Sequence, residues 1–363
     1  MRILLTGGGS GGHLYPLVAV ARQIKKINPD NLKFLFIGPS IFVQKIFQDE
    51  NIPYKTIFSG KLRRYASLAN ILDFFSFFVG LAQALWQVLT FMPDVIFSKG
   101  GSGALPVVLA GWLYQIPILI HESDSIAGLA NRISAYLATR ISVSFPEALN
   151  FFPAQKTALT GNPVREELIN GSKEKAKEIF NLTGDRPILL IIGGSQGAQA
   201  INEFIYNMLP RLLSAYEIIH QCGELNYETL KKEIGDKPFY HLLPFLDEDQ
   251  LKNAYAATDL IISRAGASSI SEIAANTKPS IIIPLPGSAS DHQKENAYNY
   301  AKTGATVVLE QENLTPNIFE GKIIQLLEDP ALRQKMSEDT KLFYKPDAAL
   351  KIAEEVIKLG NRG

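Results

Sequence analysis

The chain has 363 residues, enough for two domains of ordinary size, and its 46% hydrophobic and 20% charged residues are those of a globular protein. Basic and acidic residues balance at 36 each, which excludes binding to nucleic acid by bulk attraction. Cys222 is the one cysteine, which excludes an internal disulfide and a cysteine metal cluster. The first residues run directly into a core strand with no charged-then-apolar leader, so a cytosolic compartment is expected.

The first predicted element is the strand Arg2–Leu5, followed by Thr6-Gly-Gly-Gly-Ser-Gly-Gly-His13 and a helix over 14–24 with Pro16 in its first turn. Strand, Gly-rich turn and helix N-terminus together make an anion site, because free N–H groups and the positive end of the helix dipole meet at one spot. His13 brings a titratable ring to the mouth of that site. Gly7-x-Gly9-x-x-Gly12 fits the dinucleotide fingerprint, but the second strand (32–37) ends in Gly38-Pro-Ser40 with no ribose-binding acid, and Asp30 lies at the wrong end of it. An NTPase phosphate loop would need Gly-Lys-Ser/Thr where Gly12-His-Leu14 stands.

A helix near 41–49, a short strand over 54–58 and a basic patch at Lys61, Arg63 and Arg64 follow. From Phe74 to Met92 there is no charged residue, a length that formally suits a membrane span. A span would interrupt a strand–helix alternation that resumes at Asp94, so a surface helix is expected. Ser76, Gly80, Gln83 and Gln87 share one stripe, and Ile71, Phe74, Phe75, Phe78, Ala82, Leu85 and Leu89 another. The apolar stripe either covers the core or, being wider than one sheet needs, rests in part on an anionic membrane beside the basic patch.

Alternation continues through Gly100-Gly-Ser-Gly103, a helix over 104–113, a strand over 117–121, the polar turn from Glu122 to a helix ending at 138, and a strand over 141–144. Gly161-Asn-Pro-Val-Arg165 reads as the linker. A second half then repeats the opening: strand 187–192, Gly193-Gly-Ser-Gln-Gly-Ala198, helix 199–213. Strands over 217–221, 240–243, 259–263, 280–284 and 306–309 alternate with helices over 224–234, 249–257, from Ser268 and to 303; helices over 316–327, 331–343 and 348–359 close the chain. The fold class is therefore α/β, two Rossmann-like doubly wound parallel-sheet domains facing a cleft. Small and polar residues stand at the carboxyl ends of the strands, where ligands bind such sheets.

No Gly-x-Ser-x-Gly nucleophile elbow is present. Asp247-Glu-Asp249 could hold a divalent metal, yet it sits where a helix should begin, and the dipole explains it there. His121-Glu122 lacks the second histidine of a helical zinc motif. The two Gly-rich turns, the helix start at Ala267–Ser269, and Arg264 or Arg165 can instead meet a diphosphate without metal. A sugar nucleotide fits: Glu272 can accept from ribose hydroxyls, and Gln293 and Asp291 can bind sugar hydroxyls.

An ordered set of motifs carries a resemblance over almost the whole length: Gly8-Gly-Ser-Gly-Gly-His13, His121-Glu122 with Ala127-Gly128 and Asn131, Gly161–Arg165, Gly193–Ala198 with Asn202, Arg264-x-Gly266 with Ser271-Glu272, and Asp291-x-Gln293. The chain resembles the MurG family, the family-28 transferases that add N-acetylglucosamine to undecaprenyl-diphosphate-linked muramyl pentapeptide in peptidoglycan synthesis. The resemblance implies a GT-B fold with residues 1–162 as acceptor and membrane-side domain, 163–345 as donor domain, and 346–363 as a helix crossing back. It implies an inverting, metal-independent transferase with UDP-N-acetylglucosamine as donor and no cofactor. It assigns His13 and Glu122 to catalysis. It places Arg165, Ser195, Gln196, Leu246, Arg264, Ala267, Ser268, Ser269, Ile270, Ser271, Glu272 and Gln293 on the donor. Ser10, Gly11 and Gly12 fall to the acceptor side of the cleft as well as the donor, and Asp124, Asn131 and Asn202 to the acceptor side. Asp124 replaces the family's usual Asn, and Gly100–Gly103 lacks its common Tyr. The implied partners are the lipid-linked acceptor, anionic inner-leaflet lipids and other cell-wall synthesis proteins, at the cytoplasmic face of the membrane. The competing expectations are a UDP-N-acetylglucosamine 2-epimerase of similar build and a non-catalytic sugar-nucleotide-binding subunit.

Overall fold

A computed structural model describes residues 1–9, 11–39, 43–60, 69–194, 197–288 and 291–361, with main chain alone at 43–45 and 69–74. Its contacts divide into two units, Met1–Arg165 with Lys345–Gly363, and Glu166–Tyr344.

In the first unit β1 (Arg2–Thr6), α1 (Gly11–Ile27), β2 (Lys33–Gly38), α2 (Val43–Asp49), β3 (Tyr54–Thr56), α3 (Ala69–Phe91), β4 (Val95–Ser98), α4 (Leu105–Leu113), β5 (Ile118–Glu122), α5 (Leu129–Leu137), β6 (Arg140–Val143) and β7 (Thr157–Leu159) follow in order. The second unit holds α6 (Lys173–Phe180), β8 (Ile188–Ile192), α7 (Gln199–Leu212), β9 (Glu217–Gln221), α8 (Glu224–Ile234), β10 (Tyr240–Leu243), α9 (Glu248–Ala257), β11 (Leu260–Ser263), α10 (Ala267–Ala275), β12 (Ser280–Ile282), α11 (His292–Ala301), β13 (Thr306–Val308), α12 (Pro316–Glu328) and α13 (Pro330–Phe343). The last helix, α14 (Ala348–Gly360), belongs to the first unit, where Ile352, Val356 and Leu359 join the core cluster of α1.

Both sheets are parallel, in the orders β3-β2-β1-β4-β5-β6-β7 and β10-β9-β8-β11-β12-β13. Strands buried on both faces need apolar side chains of both parities, and β1 and β8 supply them. Ile3 and Leu5 enter the cluster shared with α1, and Leu4 the cluster shared with α3 and α4. Strand order reverses direction between β1 and β4 and between β8 and β11, the positions where open parallel sheets bind ligands.

Two elements differ from the sequence expectation. Helix α1 begins at Gly11, so Pro16 lies within it and cannot donate to the Gly12 carbonyl. Helix α3 forms, but with the opposite face inward: Gly80, Ala84 and Val88 are buried, while Phe75, Phe78, Val79, Trp86 and Leu89 are exposed. Small side chains let the helix sit close, and the Gln83 Oε1 accepts from the Phe58 N–H at 2.8 Å. Of the described residues of the apolar stripe, Leu85 packs against the core cluster, while Phe75, Phe78, Ala82 and Leu89 are exposed. Among the described residues no helix is long and apolar enough to cross a membrane. Lys61, Arg63 and Arg64 lie outside the described residues, as do the side chains of Ile71 and Phe74.

Candidate active site

In the first unit the site gathers at the ends of β1, β4 and β5. His13 lies in the first turn of α1 with its ring against Gly8, where a Cβ would stand 3.0 Å from Nδ1. The turn after β4 enters by Gly100 and Gly101, both at positive φ (78° and 86°). A Cβ on Gly101 would meet the Gly8 backbone at 2.9 Å, and one on Gly100 the Asn131 amide at 2.3 Å. Glycine is thus required twice over here, by backbone conformation and by close approach. The two residues wedge between the His13 loop and α5.

Glu122, at the end of β5, is buried with both carboxylate oxygens engaged. Oε1 accepts from the Asp124 N–H at 3.0 Å, and Oε2 from the Gly128 N–H at 2.9 Å and Asn131 Nδ2 at 3.0 Å. Its carboxyl titrates above the usual range, first because it is buried and then because Asp124 is near. His121 is buried beside it, bonded through Nε2 to the Gly161 carbonyl at 3.1 Å; burial, then the Lys99 charge, hold its pKa well below the ordinary histidine value. Lys99, which the sequence reading passed over, is fully buried; burial lowers its ammonium to about 8 against the pull of Glu122 and Asp124. Arg165 is buried in this unit, its guanidinium 3.9 Å over the Tyr15 ring. Gly11 and Gly12 open α1, and Ser10 lies outside the described residues.

In the second unit the corresponding edge carries the second Gly-rich turn and the start of α10. Ser195 and Gln196 lie outside the described residues. Gln221, at the end of β9, bridges what remains: its Nε2 donates to the Gly194 carbonyl and its Oε1 accepts from the Leu246 N–H, both at 3.0 Å. Sequence had given no sign of Gln221, whose partners lie 27 and 25 residues away. Arg264 is buried and donates to the Ile283 and Pro284 carbonyls at 3.2 Å and to Gln311 Oε1 at 2.7 Å; burial lowers it to about 10.

Gly266 is the N-cap of α10 and offers no side-chain cap to the amides of Ala267, Ser268 and Ser269, a dipole end suited to an anion. Ile270 is buried, and Ser271 Oγ donates back to the Ala267 carbonyl at 2.8 Å. Glu272 is half-buried and accepts from Tyr255 Oη at 3.2 Å. Gln293 Oε1 accepts from the Leu285 N–H at 3.1 Å. Asn202 sits inside the unit: its Nδ2 donates to the Cys222 carbonyl at 2.8 Å and its Oδ1 meets His220 Nε2 at 3.1 Å. Asp247 forms a capping box with Gln250, and Asp249 pairs with Lys252 at 2.7 Å, so the acidic triplet serves its helix. Among the described residues no group of three or more His, Cys, Asp and Glu could hold a metal ion.

Two Rossmann-like units, each with a glycine turn and a helix N-terminus at its switch point, are the two halves of a GT-B fold, and the family matches make it a glycosyltransferase. The chain belongs to glycosyltransferase family 28: residues 3–143 match its N-terminal domain and 188–352 its C-terminal domain. It is 41% identical over 319 residues to a UDP-N-acetylglucosamine–N-acetylmuramyl-(pentapeptide) pyrophosphoryl-undecaprenol N-acetylglucosamine transferase of Bacillus thuringiensis, covering 87% of this chain and 88% of the relative. The crystal structure of Acinetobacter baumannii MurG superposes with a TM-score of 0.73 at 28% identity, covering 98% of this chain and 99% of that one. A UDP-GlcNAc 2-epimerase from Neisseria meningitidis, solved with UDP-GlcNAc, reaches 0.69 at 15% identity over 99% of this chain and 100% of its own, a likeness of fold alone.

Proposed function

We infer that this chain transfers N-acetylglucosamine from UDP-N-acetylglucosamine to the 4-hydroxyl of undecaprenyl-diphosphate-linked N-acetylmuramyl pentapeptide. The observation that carries this is the 41% identity, across both halves, with a transferase of that name. In this reading the first unit holds the acceptor and the second the donor. His13 takes the proton of the acceptor hydroxyl as its oxygen attacks the anomeric carbon. The bond from that carbon to the diphosphate oxygen breaks, and UDP leaves with the charge, inverting the centre.

The N-terminus of α10 meets the diphosphate in the place a metal would take, Glu272 the ribose, Leu246 and Arg264 the uracil, and Gln293 the sugar. Gln221 holds Leu246 and the Gly194 turn in one arrangement, which supports a donor pocket there. Glu122 acts by clamping the loop from Asp124 to Asn131, since both its oxygens are engaged. The exposed stripe of α3 supports a peripheral stance on the inner membrane leaflet, because the polyprenyl acceptor cannot leave the bilayer.

The test is incubation with UDP-N-acetylglucosamine, with and without the lipid-linked muramyl acceptor, in excess EDTA. UDP release that requires the acceptor is the expected outcome. Conversion of the free nucleotide to its 2-epimer would assign the chain to the epimerases, and activity restored by added Mg²⁺ would return a metal to the reaction.

A further inference from the structure

Lys99 directly follows β4, and its side chain is among the largest fully buried ones in the chain. Its backbone N–H donates to the Thr6 carbonyl at 2.8 Å, fixing it beside the start of the Gly-rich turn. A Cβ built on Gly7 would lie 3.4 Å from the Lys99 Cβ and 3.6 Å from the His13 Cβ, so the lysine stem runs beneath the His13 loop. Lys99 Nζ has no hydrogen-bond partner among the described residues, and three further buried atoms at these strand ends share that state: Thr6 Oγ1, His121 Nδ1 and Asn131 Oδ1.

An ammonium buried in this way is costly unless negative charge faces it. The charged and titratable groups around it are His13 from the β1–α1 turn, His121 and Glu122 from β5, and Asp124 from the loop that follows. Glu122 is the clamp of that loop, and Asn131 on α5 touches both the clamp and Gly100, the residue next to Lys99. Lysine, glycine wedge, clamp and His13 loop are thus one packed assembly.

We propose that Lys99 is a positioning residue for the transfer: its buried ammonium, lodged between the Gly7–His13 turn and the glycine wedge, keeps the Glu122-clamped loop and that wedge seated against His13. The proposal rests on the transferase reading for its kinetic test.

Lys99→Met should lower kcat about tenfold to a hundredfold, the scale of a displaced catalytic group, with KM for UDP-N-acetylglucosamine unchanged. It should also abolish a fall in kcat that the parent shows as pH rises through the Lys99 titration. Combining it with Asp124→Asn removes one charge of each sign and should recover most of kcat. Asp124→Asn alone keeps the lysine with one less negative neighbour, and should move the alkaline limb to lower pH; this arm stands even if the methionine variant fails to fold. An activity-free readout separates failure of this proposal from failure of the transferase reading. The Tm of the parent minus that of Lys99→Met should rise with pH between about 8 and 10.5, where the unfolded lysine binds a proton that the folded one has released. A flat difference, superimposable pH profiles, or a double variant no better than Lys99→Met would each overturn it.

Discussion

Gly80 of α3 lies against the carbonyl of Phe58, so close that a Cβ there would stand 1.9 Å from the oxygen. This contact, with the Gln83–Phe58 hydrogen bond beside it, fixes which way the helix faces. Ordinarily Gly→Ala inside a helix stabilises by about 1 kcal/mol. Here the added methyl must push a backbone segment away, and overpacking of that kind costs about 1–3 kcal/mol. Gly80→Ala should therefore lower Tm, a sign opposite to the helix propensity, and a rise in Tm in thermal denaturation would show that the contact yields freely.

Helix α3 also marks the limit of what the sequence disclosed. Its existence was readable from 74–92, but a helix apolar on nearly every side gives no periodicity to choose its inner face, and the choice fell to Gly80 and Ala84. The strand–glycine–helix openings of both halves were legible because glycine runs and apolar strands are local signals. Two short elements were not. Lys173–Phe180 has five charged residues in eight and is held by the Ser172 N-cap and a left-handed Asn181, while Thr157–Leu159 is a three-residue edge strand. Lys99 and Gln221 escaped for another reason. Their partners come from strands that are neighbours in the sheet and distant in the chain, so no spacing rule reaches them.

His13 packs on Gly8 at the first turn of α1, the place a base must occupy if the acceptor hydroxyl meets the helix start. His13→Ala should lower kcat by about 10²–10⁴-fold, with UDP affinity little changed because Leu246, Arg264, the α10 N-terminus and Glu272 lie on the other unit. Steady-state kinetics with turnover near the parent value would remove His13 from the chemistry.

Glu272 and Tyr255 test the donor side. A carboxylate steadied by Tyr255 Oη can accept from two ribose hydroxyls, and losing a charged hydrogen bond costs about 1–3 kcal/mol. Glu272→Gln should weaken UDP binding by that amount in calorimetry, and Tyr255→Phe by less, since it removes only the support. Equal affinities for all three proteins would place the ribose elsewhere.

Acid should unfold the protein partly through its interior histidines. His220 is buried between Tyr240 and Asn202, and burial lowers its pKa from 6.5 to about 3; His121 is lowered as well. Between those values the unfolded chain binds protons that the folded one refuses, so stability is full above about 6.5 and falls as pH drops toward 3. Ring-nitrogen NMR should find His220 and His121 neutral at mildly acidic pH. A denaturation midpoint independent of pH across this window would contradict the burial of both rings.

The chain's two tryptophans, Trp86 on α3 and Trp112 on α4, are 66% and 49% exposed, on helices that share the core cluster on one face of the first sheet. Phe75, Phe78, Val79 and Leu89 extend the α3 face, and a large apolar side chain gains about 1.5–3 kcal/mol when fully buried. If this face meets the bilayer, both indoles move into the interfacial region, so intrinsic fluorescence should shift to the blue on adding anionic vesicles. Lys61, Arg63 and Arg64, which precede α3 in the sequence, would each add about 1 kcal/mol near anionic lipid, a contribution that salt screens. Vesicle binding should therefore weaken with rising salt and with the triple change of those residues to Ser, and weaken further with Phe75→Ser and Phe78→Ser, which face solvent and cost the fold little. UDP affinity should be the same in every variant. Tryptophan emission that stays unshifted while the protein co-sediments with vesicles would mean that another face touches the membrane; no co-sedimentation with either neutral or anionic vesicles would leave the α3 stripe without a lipid role.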